Sequence, residues 1–246
     1  METGPIAGSA GGSWLLERSA ELAVLERSAA AVLARHRGRL ALVTGEAGVG
    51  KTALLRAFSA GRRGTRVLWG ACDPLLTPRP LAPLVEIAGQ AGGDLAKIID
   101  AGAAPAAMIR ALAQDLAGAP PAVVVLEDLH WADEATLDLL RVLGRQVTAL
   151  PALVIVTYRD GIDRADPLRV VLGELPAGPH LDRLQVLPLS LAGVIALVGP
   201  AVADPAGLHR RTGGNPFFVT EVLAAGGAQL PDTVRDAVLA RAARLG

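Results

Sequence analysis

The chain has 246 residues, of which 51% are hydrophobic and 20% charged, enough apolar material for one sizeable core with a smaller unit attached. The 24 basic side chains of lysine and arginine balance the 24 acidic ones, so no bulk charge recruits nucleic acid and we expect no direct nucleic-acid binding. The single cysteine, Cys72, excludes an intrachain disulfide; it fits a reducing cytoplasm and is expected to be a small buried residue.

The sequence predicts neither a signal peptide nor a membrane-spanning segment. Residues 1–13 are small and glycine-rich, without the basic and apolar regions of a signal peptide, and are predicted to be a disordered leader. The uncharged stretch 186–203 could imitate a membrane span, but Pro188 and Pro200 leave an apolar piece far shorter than the ~20 residues that a span needs. We therefore expect a cytoplasmic protein that does not bind membranes.

The chain alternates helical and β-type segments. Apolar residues recur at helical spacing in some stretches, and short apolar runs bounded by glycine or proline mark strands in others. The run 122–126 is continuously apolar, as in a strand buried on both faces, and Asp133 is placed to cap the helix that follows. The predicted strands are 39–44, 65–70, 122–126, 153–157 and 181–187; the predicted helices are 14–37, 51–60, 81–90, 105–117, 133–147, 191–198, 205–211, 216–225 and 231–245.

A glycine-rich turn joins the first predicted strand to the second predicted helix. Its residues, which match the phosphate-binding pattern G-x-x-x-x-G-K-[ST], are Gly45, Glu46, Ala47, Gly48, Val49, Gly50, Lys51 and Thr52. Such glycines let successive backbone N–H groups turn inward as an anion nest, to which the helix N-terminus adds partial positive charge. We expect Lys51 to bridge the β- and γ-phosphates and the Thr52 hydroxyl to bind Mg²⁺. ATP or ADP with Mg²⁺ is the predicted ligand, and no Asn-Lys-x-Asp motif for guanine is present.

Charged residues follow two of the predicted strands. Glu127 and Asp128 come directly after the strand 122–126, and Arg159 comes shortly after the strand 153–157. In parallel α/β sheets, ligands bind outside these carboxyl ends. One acid would serve the metal's ligand shell and the other would orient or deprotonate water, while the arginine can sense or stabilise the γ-phosphate. His130 is expected to be a packing or hydrogen-bonding residue, because the carboxylates already suit the base role.

A second turn, at 213–218, opens a later helix. Asn215 is expected to cap this helix, Pro216 to occupy its first position, and Phe217 and Phe218 to anchor it in the core. The spacing alone does not make this turn a ligand site.

Together these pieces predict an α/β fold: a P-loop NTPase three-layer sandwich with a mostly parallel five-stranded sheet, followed by a small helical lid. The predicted boundaries are 14–188 for the core and 189–228 for the lid.

The motifs resemble the STAND class of P-loop ATPases. The most similar module is the ATPase domain of large ATP-binding LuxR-type bacterial transcriptional regulators, which is similar to origin-recognition and other AAA-like ATPase domains. The segments that carry the resemblance are 16–18 with Glu21 and Leu22, 44–52, 126–133, 157–159, and 212–218 with Glu221.

The resemblance implies a role for several residues. Glu127 would hold magnesium, Asp128 would lie nearest the attacking water, and Arg159 would be the sensor arginine. Pro216 would pack on the adenine, and Arg18, in the leading helix, would flank the nucleotide. Many relatives have aspartate where this chain has Glu127, which leaves the division of labour between the two acids open.

The resemblance also implies a regulatory switch with slow ATPase activity, in which ADP holds the lid closed, ATP exchange opens it and hydrolysis resets it. Residues 229–246 would begin a winged-helix segment. The expected partners are helical repeats and a DNA-reading domain beyond this chain, or a partner regulator, with nucleotide-dependent self-association. Two alternatives stay open: a P-loop small-molecule kinase, and an interaction module that binds nucleotide without hydrolysing it.

Overall fold

The computed structural model describes residues 15–62, 64–74, 79–163 and 165–225. The predicted leader, the helix over 231–245 and the winged-helix segment lie outside these residues. The strands are Arg39–Gly45 (β1), Arg66–Ala71 (β2), Ala122–Glu127 (β3), Ala152–Arg159 (β4) and Leu181–Gln185 (β5). The α-helices are Ser19–Arg35 (α1), Lys51–Ala60 (α2), Ala82–Ala91 (α3), Gly93–Asp100 (α4), Pro105–Gly118 (α5), Glu134–Gln146 (α6), Pro167–Glu174 (α7), Leu191–Val198 (α8), Pro205–Thr212 (α9) and Pro216–Ala224 (α10).

The five strands form one sheet in the order β2-β3-β4-β1-β5, and every neighbouring pair is parallel. All six residues of β3 are buried, as the continuous apolar run predicted. Because the strands are parallel, their carboxyl ends lie along one edge. Gly45 pairs with Arg159 there, and Ala71 pairs with Glu127. The predicted α/β class with a parallel five-stranded sheet is confirmed.

Two hydrophobic clusters cover the two faces of the sheet. One packs α1 and α2, through residues such as Leu25 and Phe58, against Val125 and Ile155. The other packs α3–α7 against the opposite face, as the period-2 alternation of strand side chains requires. Cys72 belongs to the second cluster, and burial raises the pKa of its thiol to about 12. The expectation of a small buried residue is confirmed.

The last three helices enclose a third cluster. Its buried members are Leu189, Val194, Val198, Leu208, Val219 and Val222, and Leu16 from the start of the described chain packs against them. The side chains of Ser190, Asp204 and Asn215 cap α8, α9 and α10 by accepting hydrogen bonds from backbone N–H groups of the first turn. Within the described residues, no helix is long and apolar enough to cross a bilayer.

Several local expectations are wrong. The leading helix begins at Ser19, so Arg18 lies just before it; Glu17 has a φ of 55°, a left-handed turn that a helix cannot continue. Helices α4 and α7 were not predicted, although Asp166 and Pro167 form an ordinary helix start. Phe217 is 47% exposed and does not anchor the core, whereas Phe218 packs against the third cluster.

Candidate nucleotide-binding site

The glycine-rich turn leaves β1 at Gly45 and enters α2 at Lys51. Gly48 and Gly50 have φ values of 74° and 102°, a region that side chains with a Cβ rarely adopt. Between them, Val49 is completely buried and fixes the turn to the core. The glycines at 48 and 50 are therefore required by backbone geometry, as expected for a phosphate-binding nest.

Lys51 folds back over this turn. Its ammonium group donates hydrogen bonds to the carbonyl oxygens of Gly45 at 2.8 Å and Glu46 at 3.0 Å, and the residue is buried. Burial lowers the pKa of Lys51, while the nearby carboxylate of Asp128 opposes that shift. The ammonium thus lies beside the predicted phosphate nest, where a triphosphate would offer it stronger anionic partners than these carbonyls.

The two residues predicted to serve magnesium are in direct contact. The Thr52 hydroxyl donates to Glu127 Oε1 at 2.7 Å, and the indole N–H of Trp69 donates to Glu127 Oε2 at 2.8 Å. Oxygen donors of this kind suit Mg²⁺, which keeps several waters and relies on phosphate oxygens instead of a cage of protein ligands. Among the described residues, no group of three or more acidic, histidine or cysteine side chains could hold a metal by itself. The donor set therefore fits a magnesium–nucleotide complex.

Asp128 has a left-handed backbone conformation, with a φ of 54°. Its backbone N–H donates to the Thr157 hydroxyl of β4 at 2.9 Å, and Thr157 is completely buried. A non-glycine residue with positive φ is uncommon and persists only where its surroundings fix it. The Asp128 side chain remains 44% exposed, so it can reach a water molecule at the sheet edge.

Arg159 lies on the same edge, because its position on β4 pairs with Gly45. Its guanidinium carbon is 5.6 Å from the centre of the Trp131 ring, within the range of a cation–π contact. The sheet therefore brings together the glycine-rich turn, both acids and Arg159, all of them predicted site residues.

The side chain of His130 lies beside these groups and is only 8% exposed. Its Nδ1 is 3.9 Å from Asp128 Oδ1, and neither ring nitrogen has a hydrogen-bond partner in the structure. Burial, and then the positive charges of Arg159 and Lys51, lower the pKa of His130 to about 4. The imidazole is therefore neutral at pH 7, and it packs against Trp131 with ring centres 5.1 Å apart.

A largely apolar cavity of about 190 Å³ adjoins the glycine-rich turn. Its lining residues are Leu15, Leu16, Arg18, Val49, Gly50, Ala53, Leu189, Leu197, Pro216 and Thr220. Arg18 is 4% exposed and donates to the carbonyl oxygens of Val49 at 3.1 Å and Leu187 at 2.7 Å. Arg18 and Pro216 thus line one cavity, and neither Glu127 nor Asp128 is among its lining residues. Its largely apolar lining is suited to a flat ring system.

Helix α10 touches the glycine-rich turn directly. The side-chain amide of Asn215 donates to the Ala47 carbonyl at 2.8 Å, and the backbone N–H of Phe217 donates to the Gly48 carbonyl at 3.3 Å. A Cβ at Gly48 would lie 2.6 Å from the Phe217 Cβ, so the approach needs a glycine there. Asn215 is 1% exposed.

Sequence reasoning missed four residues at this site. Trp69, Thr157 and Glu17 received no role, and Asn215 was expected only as a helix cap. Glu17 accepts hydrogen bonds from the backbone N–H and the hydroxyl of Ser190 at the start of α8. A polar residue at the end of a buried strand was a usable signal for Thr157; nothing in the sequence pairs Trp69 with Glu127.

The fold is similar to that of several solved proteins. Cdc6p from Pyrobaculum aerophilum matches with a TM-score of 0.60 at 18% identity, covering 89% of this chain and 63% of that one. The Aeropyrum pernix ORC1 protein, solved in complex with DNA, gives 0.55 at 18% identity over 81% and 55%. A STAND protein with a tetratricopeptide repeat sensor from Pyrococcus horikoshii gives 0.54 at 16% identity over 96% and 34%. At these identities the likeness shows the fold alone.

Sequence comparisons identify one curated relative and one domain family. An uncharacterised protein of Rhizobium meliloti is 29% identical over 86% of this chain, which spans only 25% of that protein's length. The sequence profile of the AAA ATPase domain matches residues 15–156, more than half of the chain. Membership in this family implies binding of a nucleotide, ordinarily with Mg²⁺. The chain belongs to the AAA ATPase domain family.

Proposed function

We propose that this chain is an ATP-binding, slowly hydrolysing switch module of a STAND-type regulator. The observation that carries the proposal is the hydrogen bond from Asn215 to the Ala47 carbonyl. This bond joins α10 to the loop that would hold the phosphates. A change in the bound nucleotide that moves this loop would therefore also displace α10. An enzyme that only transfers phosphate has no need of this link.

The proposed chemistry divides among residues on one sheet edge. Lys51 would move from the loop carbonyls to the β- and γ-phosphates, and Thr52 with Glu127 would hold Mg²⁺. Bound Mg²⁺ would neutralise charge developing on the β- and γ-phosphate oxygens. Asp128, half-exposed beside the same phosphates, would orient the attacking water, and Arg159 would stabilise the γ-phosphate charge.

The helical lid, residues 189–228 in our division of the chain, would be the moving part. In the described structure, hydrogen bonds of Asn215 and Phe217 to the glycine-rich turn, and of Ser190 to Glu17, hold it against the core. Arg18 connects the same turn to the Leu187 carbonyl at the boundary of the two parts. We assign this closed arrangement to the ADP state, with the adenine in the cavity lined by Arg18 and Pro216.

The wider context is part of the same proposal. A role in a LuxR-type transcriptional regulator follows from the resemblance of the motifs. In such a regulator the partners of this chain would be a repeat region and a DNA-reading domain, or a separate regulator. Nucleotide would control its self-association. The Pyrococcus horikoshii STAND protein has a tetratricopeptide repeat sensor, and this chain covers 34% of it. We propose that DNA contact, where it occurs, is made by such additional regions.

The test is equilibrium binding of ATP and ADP, with and without Mg²⁺, together with phosphate release from the same sample. The switch predicts Mg²⁺-dependent ATP binding, tight ADP binding and slow phosphate release. Binding without any release, even at high protein concentration, would favour the non-hydrolysing interaction module. ADP formation that accelerates when a small-molecule acceptor is added would favour the kinase. If neither nucleotide bound, the proposal would fail.

A further inference from the structure

Glu127 is held on two sides by groups from the neighbouring strand β2. The backbone N–H of Cys72, just after β2, donates to the Glu127 carbonyl at 3.0 Å, and the Trp69 indole N–H donates to Glu127 Oε2 at 2.8 Å. Glu127 is only 7% exposed, so the indole N–H also meets the hydrogen-bonding demand of a buried carboxylate oxygen.

The register of the sheet explains how Trp69 reaches this carboxylate. On β2, Ala71 lies opposite Glu127, and Trp69 lies opposite Val125. Trp69 and Glu127 are therefore diagonal neighbours on one face, because strand side chains alternate with a period of two. A large side chain is needed to cover the diagonal, and Trp69 packs against the cluster that contains Val125 as it does so.

The backbone of Trp69 is itself fixed from outside the sheet. β2 is an edge strand, and Gln90 of α3 closes its outer side: Gln90 Oε1 accepts from the Trp69 N–H at 2.9 Å, and Gln90 Nε2 donates to the Trp69 carbonyl. Gln90, Trp69 and Glu127 thus form one connected chain of hydrogen bonds that ends at the Thr52 hydroxyl. Each link restricts the freedom of the next.

We propose that Trp69 is a positioning residue that engages Glu127 Oε2 and thereby leaves Oε1 directed at Thr52, with which Glu127 would hold a magnesium ion. The inference rests on the proposed function, since it assumes a Mg²⁺–nucleotide complex at Thr52. It also assigns the two acids their roles. The Glu127 side chain, one methylene longer than that of aspartate, contacts both Trp69 and Thr52, which assigns it to metal binding. The half-exposed Asp128 would then orient the attacking water.

The test compares Mg²⁺ binding with nucleotide binding. Trp69→Phe keeps a ring but removes the N–H donor, and we expect ADP affinity without Mg²⁺ to stay within about twofold. The Mg²⁺ concentration that half-saturates the ADP complex should rise about tenfold, as is typical when a partner of a metal-binding carboxylate is lost. Gln90→Ala should give a smaller rise. Trp131→Phe, the matched tryptophan control, should leave this concentration within about twofold.

A double-mutant cycle separates positioning from general damage. In Glu127→Asp the shorter side chain no longer reaches the indole. The double variant Trp69→Phe with Glu127→Asp should therefore need less than about twofold more Mg²⁺ than Glu127→Asp alone. The inference is overturned if Trp69→Phe leaves the Mg²⁺ requirement unchanged, if it weakens Mg²⁺-free ADP binding equally, or if its effect multiplies fully with Glu127→Asp. Failure of the wild-type chain to bind nucleotide at all would instead overturn the proposed function together with the inference.

Discussion

The Nδ2 atom of Asn215 lies 2.8 Å from the carbonyl oxygen of Ala47, and the Asn215 Oδ1 atom accepts from the backbone N–H of Phe217. One buried side chain therefore caps helix α10 and attaches that helix to the middle of the glycine-rich turn. An amide suits both functions, because its nitrogen donates while its oxygen accepts. This relationship gives the lid a direct mechanical connection to the loop that would hold phosphate.

Substituting Asn215→Ser should accelerate ADP release. Serine keeps a cap acceptor for α10 but is too short to reach Ala47, so one hydrogen bond of about 0.5–1.5 kcal/mol is lost. We expect ADP dissociation to become about 2–10 times faster, measured by stopped-flow displacement with excess unlabelled ADP. Arg211→Ala, an exposed position on α9, serves as the control and should leave the rate unchanged. Equal rates in wild type and Asn215→Ser would remove the basis of the switch.

Substituting Lys51→Ala should weaken triphosphate binding more than any change elsewhere on the turn. The lysine would supply a charge-assisted contact of about 1.5–3 kcal/mol to the phosphates. We expect a loss of at least tenfold in ATP affinity, measured by calorimetry. The denaturation midpoint without nucleotide should change little, because the ammonium now contacts only two loop carbonyls. Retained ATP affinity would argue that the turn does not bind phosphate.

Replacing Asp128→Asn should separate binding from hydrolysis. The backbone N–H that bonds Thr157 is unaffected, and asparagine tolerates the positive φ, so the site should assemble normally. The amide cannot accept a proton from water as a carboxylate does, and phosphate release should fall at least tenfold while ATP affinity stays within about threefold. If Lys51→Ala and Asp128→Asn lost binding equally, the division of roles would be wrong.

The nucleotide-free protein should lose stability as the pH falls from about 6.5 to about 4, in part through His130. The unfolded chain binds a proton at this residue below about 6.5, whereas burial keeps its pKa in the folded protein at about 4. Between these values the unfolded state binds more protons, so the free energy of unfolding decreases as pH decreases, by up to about 3 kcal/mol.

Urea midpoints at pH 7 and pH 4.5 measure this contribution. His130→Leu should show a smaller drop between the two pH values than wild type, while His36→Asn, a change at an exposed histidine with positive φ, should show the wild-type drop. A wild-type pH dependence in His130→Leu would mean that His130 binds protons equally in the folded and unfolded states, so that folding does not lower its pKa.

Local sequence signals were sufficient to predict the individual strands and the glycine-rich turn. The run 122–126 indicated a strand buried on both faces, and the pattern from Gly45 to Thr52 predicted both backbone shape and ligand chemistry within eight residues. Caps at Asp133 and Asn215 were predicted for the same reason, because a cap acts within one turn of helix. The start of α1 was predicted too early, at residue 14, because the apolar spacing continues through a left-handed turn at Glu17.

The sequence by itself thus determined the fold class, and it predicted the glycine-rich turn together with the acids and the arginine at the strand ends. Only the tertiary structure decided that Trp69 holds Glu127, that Thr157 fixes Asp128 and that Asn215 reaches Ala47 across 168 residues. Each of these contacts depends on strand order and on how far one side chain extends toward another element. Strand order arises from packing the whole sheet, and no local pattern in the chain encodes it.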